Sequence, residues 1–204
     1  MRRWSALSGL AFVVCAVAAG LVYGDGAGSD AAEIEHYYRH PTLWRHQELG
    51  FVLLLVGCLF LLHYVAVLGA LVASDQPRTL VLLSGGTSAA ALMVADALWA
   101  ATAFTVDLQG RGYAVDPATH LLVEDTAWVL VVASAAAAIP MVATVSWYVV
   151  RQGRLPRWYG VLGAVAVVGL ATAYWYLPLV AYLCWLALGS VLLSRGGRPG
   201  QRVT

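Results

Sequence analysis

The chain has 204 residues, 61% of them hydrophobic and only 11% charged, with a formal net charge of +1. So much apolar surface cannot be hidden in a single soluble core, which excludes an ordinary soluble domain and places the chain in a membrane. There is no lysine, and nothing in the charge pattern suits nucleic-acid binding.

Crossing about 30 Å of hydrocarbon takes roughly 20 apolar residues in a helix, and backbone groups in lipid must pair within their own segment. Long apolar runs without alternation therefore predict an all-α polytopic transmembrane helical bundle. In chain order the runs fall at 5–23, 49–73, 79–106 and 122–150, followed by a stretch from Trp158 to Ser194 that is too long for one crossing. Its break is Tyr174, Trp175, Tyr176, Leu177 and Pro178, where an interfacial aromatic cluster meets a proline that disfavours helix before it. Dividing there gives spans at 158–174 and 178–194, six in all, with an external loop over 24–48. The first run, with Arg2 and Arg3 ahead of it and Ala18, Ala19 and Gly20 near its end, also resembles a secretory signal peptide. An uncleaved anchor is expected because no sharp small-x-small site precedes a mature domain; cleavage would leave five spans.

The positive-inside rule tests this layout independently of hydropathy. With both termini cytoplasmic, Arg2, Arg3, Arg78, Arg151, Arg154, Arg157, Arg195, Arg198 and Arg202 lie inside, and only Arg39, Arg45 and Arg111 outside. Most acids fall on the other side: Asp25, Asp30, Glu33, Glu35, Glu48, Asp107, Asp116, Glu124 and Asp125 are outside or at the outer boundary. The expected location is a bacterial plasma membrane, multi-pass.

Asp96 is the one charge inside the third run, and an intramembrane carboxylate is a functional hypothesis by default. A rise of about 1.5 Å per residue puts it roughly 27 Å from Arg78, in the outer third of the bilayer. Ser88, Leu92, Asp96, Trp99 and Ala103 share a helical stripe. At the height of Asp96 lie Glu48 and, at the head of the fourth span, Glu124, Asp125 and Trp128, so an outward-facing, water-accessible polar vestibule is expected. Its catalytic candidates are Asp96, Glu48, Glu124 and Asp125; its ligand-binding candidates are Asp96, Trp99, Trp128 and Ser88. His63 sits about 12 Å lower and is expected to be a neutral core histidine, not a partner of Asp96.

The external segment carries Glu33, Glu35, His36, His40, His46 and Glu48. If it is helical, His36 and His40 share a face at i and i+4 and could ligate a metal, though zinc sites need three or four ligands. The blander reading is a solvated interfacial loop anchored by Tyr37, Tyr38 and Trp44. Cys15, Cys58 and Cys184 lie in apolar runs and read as small hydrophobes. Pro140 should kink the fourth span, while Ser134 to Ala138 and Gly160, Gly163 and Gly169 permit close helix contact.

Three uses of the vestibule are compatible with these residues. It could bind a small hydrophobic or lipid-like ligand. It could perform acid/base chemistry on an isoprenoid or lipid, by class-level analogy with membrane-embedded terpene cyclases, none of whose motifs is matched here. The chain could instead be a small transporter or a scaffold subunit, with another membrane protein as partner beside the lipid bilayer itself. No cofactor is identified: without lysine no retinal Schiff base is expected, and without two level intramembrane histidines no bis-histidine haem.

Gly153-Arg154-Leu155-Pro156-Arg157-Trp158-Tyr159-Gly160-Val161-Leu162-Gly163 opens the fifth span. It resembles the G-x-L-P-R-W-x-G-x-L-G junction of small six-span membrane proteins of unknown function from high-GC actinobacteria. The resemblance implies a fold and leaves the activity open. Its physical logic is arginines at the inner face, proline at a helix start and glycines for packing.

Overall fold

A computed structural model describes residues 3–24, 26–110, 113–152, 155–172 and 177–196. Arg2, Asp25, Arg111, Gly153, Arg154, Tyr174, Trp175, Tyr176, Arg198 and Arg202, used in the reading above, lie outside the described residues. Within them all regular structure is helical: α1 (Arg3–Ala6), α2 (Ser8–Tyr23), α3 (Ala31–Arg39), α4 (Pro41–Gly69), α5 (Asp75–Gln109), α6 (Pro117–Gln152), α7 (Arg157–Ala171) and α8 (Leu177–Gly196).

Three of these, α4, α5 and α6, are long and apolar enough to cross a membrane; α2, α7 and the apolar part of α8, Leu179–Arg195, are shorter. The long helices overrun the apolar runs because their start signals sit in polar sequence. Pro41 opens α4, where its missing N–H costs nothing. Asp116 precedes Pro117 and accepts from the Thr119 N–H at 3.1 Å and the Thr119 hydroxyl at 2.5 Å, capping α6. At the other end of α5, Gly110 at φ 84° stops the helix in a conformation that side chains avoid.

The helices close into a ring. α2 packs on α4, α4 on α5, α5 on α6, α6 on α7, α7 on α8, and α8 returns to α2. The interior of the ring holds Phe12, Leu61, Tyr64, Val81, Met141, Val145, Tyr159 and Trp185, all essentially buried. The outside is apolar as well, with Val14, Leu21, Val52, Leu59, Leu83, Val129, Val161, Val165 and Val168 exposed. Apolar side chains facing both inward and outward on every long helix fit a lipid surround, where burial in protein and exposure to acyl chains cost about the same.

Small residues set the closest approaches. A Cβ on Gly163 would stand 1.8 Å from Ser146 Oγ, so α6 and α7 touch there at backbone distance. At Pro140 the α6 ladder is opened and repaired from outside. Ser84 of α5 donates to Ala137 O at 2.5 Å and accepts from Met141 N–H at 3.0 Å, inserting its hydroxyl between two groups that would otherwise pair with each other.

The segment expected as a solvated loop is largely helical. α3 turns Ile34 and Tyr38 into a small second core with Trp44, Ala27, Ala103 and Val106, while Glu33, Glu35 and Arg39 face out. Tyr38 and Trp44 are thus core residues and not interfacial anchors. α3 lies over the ends of α4 and α6 that carry the acidic residues.

Candidate functional site

The site lies where α3 meets the bundle. The last residue of α2, Tyr23, turns its ring toward α5, 6.0 Å from the Trp99 ring and tilted 54° to it. Its hydroxyl donates to Asp96 Oδ1 at 2.6 Å. Asp96 is fully buried, and its second oxygen has no hydrogen-bond partner. The expectation that Asp96 stands in water is therefore corrected: Tyr23 closes over it, because the C-terminal turn of α2 ends level with Asp96.

Above this pair is a pocket of about 280 Å³ lined by Gly20, Tyr23, Gly24, Gly26, Gln47, Trp99 and Glu124. Each helix contributes from the half nearer α3. Gly24 and Gly26, at φ 58° and 71°, let the chain leave α2 tightly enough for the pocket wall to form. Gln47 of α4 is fixed by the Tyr38 hydroxyl, which donates to its Oε1 at 2.9 Å. Trp99 comes from α5 and Glu124 from α6.

Glu124 is 38% exposed, and its ion-pair neighbour is His120 Nε2, one turn earlier, at 3.7 Å. His120 is buried, shares a hydrogen bond of 3.1 Å between its Nδ1 and Thr102 Oγ1, and stands edge-on to Tyr38 at 5.3 Å. Its Nε2 makes no hydrogen bond. Burial first and the Glu124 charge second hold the Tyr37 hydroxyl above its ordinary range. For Tyr38 burial also wins, although Gln47 pulls the other way.

The sequence-derived candidates divide. Trp99 and Glu124 line the pocket, and Asp96 lies beneath it. Glu48 is half-buried and does not line the pocket; its electrostatic neighbours are Asp107 and Arg45. Asp125 points outward. Trp128 is half-buried one turn below Glu124 and does not line the pocket. Ser88 is committed elsewhere: its hydroxyl lies 3.1 Å from that of Ser134, whose Oγ also donates to Ser88 O at 2.8 Å, tying α5 to α6. His63 is exposed on the outside of α4, in an open groove with Ser5, Ser8, Val56, Leu59 and Phe60, so the core position expected for it is corrected.

His36 and His40 do share a face of α3, with ring centroids 4.3 Å apart, and His40 Nδ1 lies 2.8 Å from His36 O. Among the described residues no group of three or more His, Cys, Asp or Glu is placed to hold a metal ion. Tyr23, Gln47, Thr102 and His120 were not singled out from the sequence. His120 had a usable signal, since its i, i+4 spacing puts it on the Glu124 face, but it falls two residues before the apolar run.

No family model matches the chain, and no curated protein or solved structure matches it.

Proposed function

We propose that the protein is a six-span integral protein of the bacterial plasma membrane, termini on the arginine-rich cytoplasmic side, whose outward-facing pocket binds the head of a small lipid-like ligand. The six-span reading is supported by the closed ring of α2, α4, α5, α6, α7 and α8. α1 and α2, joined by Leu7 in helical conformation, together extend roughly 30 Å, as does α8. α7 reaches only about 22 Å, a shortfall that local thinning of the bilayer can absorb. At the arginine-rich end Arg151 lies over the Trp147 ring at 4.6 Å and Trp158 is half exposed, as an interfacial aromatic belt requires.

The observation that carries the ligand reading is the pocket itself. Four elements converge on it, two aromatic rings and two polar side chains line it, and it opens at the acidic end. Apolar walls with a few fixed polar groups are what a small-molecule site needs. Native mass spectrometry of the mildly purified protein tests the reading. A co-purifying hydrophobic molecule near one per chain, lost in Trp99→Ala, is the expected result; occupancy unaltered by Trp99→Ala would move the ligand elsewhere and sink it.

A further inference from the structure

Resting on that pocket reading, we infer that the ligand's head group is cationic, an alkylated ammonium seated between the Tyr23 and Trp99 rings and the Glu124 carboxylate. The argument is one of uncompensated charge. Among the described residues the lining of the pocket that Glu124 faces holds no Arg or Lys, and the ion-pair neighbour of Glu124 is an imidazole at 3.7 Å whose burial favours the neutral form. Arg45, the arginine nearest this end of α4, lies 5.7 Å over the Trp44 ring. An anionic head would meet Glu124 with no basic partner among the described lining residues. A neutral head would strip water from a carboxylate and return at most hydrogen bonds, leaving the charge itself uncompensated.

The aromatic side of the pocket points the same way. Tyr23 and Trp99, tilted 54° to each other, form a corner that presents ring surface to one occupant, and ring faces attract ammonium groups through the quadrupole. A quaternary or alkylated ammonium suits such a corner because it needs no hydrogen-bond acceptors from it. The Gln47 amide is held in the pocket wall by the Tyr38 hydroxyl, which donates to its Oε1. The volume, about 280 Å³, lies at the lower edge of small-molecule sites, roughly 300 Å³ upward, and fits a head group with its tail leaving the pocket.

The test uses the full chain in neutral maltoside micelles with three probes of equal tail: decyltrimethylammonium, decyl sulfate and additional decyl maltoside, each titrated below its micelle concentration. Decyltrimethylammonium is expected to bind saturably near one per chain, to be about tenfold weaker in Glu124→Gln and in Trp99→Leu, and to be unchanged in Asp125→Asn. Asp125→Asn removes the same formal charge one residue away, so equal losses in it and Glu124→Gln would reduce the effect to bulk electrostatics and overturn the inference. Saturable binding of decyl sulfate or maltoside that ignores Glu124→Gln but needs Trp99 would overturn the cation and leave the pocket. No saturable binding of any probe would overturn both. Trp99→Phe, which keeps a ring, should recover much of the affinity; failure to do so while Glu124→Gln behaves as expected would remove the ring from the head-group contact.

Discussion

The Tyr23 hydroxyl donates to Asp96 Oδ1 at 2.6 Å, joining the end of α2 to α5 across 73 positions of sequence. This bond separates the pocket from the buried carboxylate and supplies one Asp96 oxygen with its donor, while the other has none.

Tyr23→Phe is therefore expected to destabilise the protein by about 1 kcal/mol, the upper-middle range for interhelical hydrogen bonds in membranes. A double-mutant cycle isolates the bond: in an Asp96→Leu background the same substitution should cost close to nothing. Equal costs in both backgrounds, read from unfolding in detergent, would show that the Tyr23 ring and not its hydroxyl matters.

The layout of apolar runs was legible because lipid demands length and composition, both visible in sequence. The azimuth of each helix was not. α4 is apolar nearly all round, so no polar stripe marks its inner face, which is Leu54, Cys58, Leu61, Tyr64, Val65 and Leu68. His63 falls outside that stripe and is exposed, where a rule that buries intramembrane histidines puts it inside. Counting residues groups Asp96 with Glu48 and Glu124, yet of the two glutamates only Glu124 lines the pocket, while Glu48 has Asp107 and Arg45 as its charged neighbours. The donor that does reach Asp96 lies three helices earlier in the chain, and nothing local announces that α2 and α5 meet.

Ser84 occupies the opened ladder of α6, bonding Ala137 O and Met141 N–H together. Ser84→Ala removes both bonds and leaves Ala137 O and Met141 N–H to pair only with each other. A cost of about 1 kcal/mol is expected. Ser84→Thr keeps the hydroxyl and should recover much of it. Unfolding in detergent reads both costs, and equal stability of Ser84→Ala and the wild type would show that the Ser84 bridge contributes nothing.

Gly163 and Gly86 are paired as test and control. An alanine Cβ at Gly163 would lie 1.8 Å from Ser146 Oγ, 2.6 Å from Ser146 Cβ and 3.1 Å from Trp185 Nε1, so α6 and α7 must separate. Gly163→Ala should cost about 1–3 kcal/mol, as overpacking does. Gly86, inside α5, has nothing within 4 Å of the same position. Gly86→Ala should be neutral or stabilising by up to about 1 kcal/mol, since alanine favours helix. Similar thermal unfolding for both variants would contradict the close α6–α7 contact.

Asp116 makes the acid sensitivity of one helix end testable. It is exposed and outside the bundle, and the Thr119 hydroxyl first, then the Thr119 N–H, hold its carboxyl below the ordinary carboxylate range. A carboxyl depressed on folding stabilises the folded form when ionised. That contribution is fully present above its unfolded value, about 3.9, and is lost as pH falls through the lower folded value. The first turn of α6 should then fray below about pH 4. Asn caps a helix about as well as Asp but carries no proton to gain, so Asp116→Asn should remove the pH dependence while preserving the turn. Asp116→Ala should weaken it at every pH. Amide exchange at Thr119 and His120, corrected for intrinsic rates between pH 5 and 3, reads all three. Equal acid loss in wild type and Asp116→Asn would assign the fraying to other carboxyls at that end, with Glu124, one turn beyond His120, the first to examine.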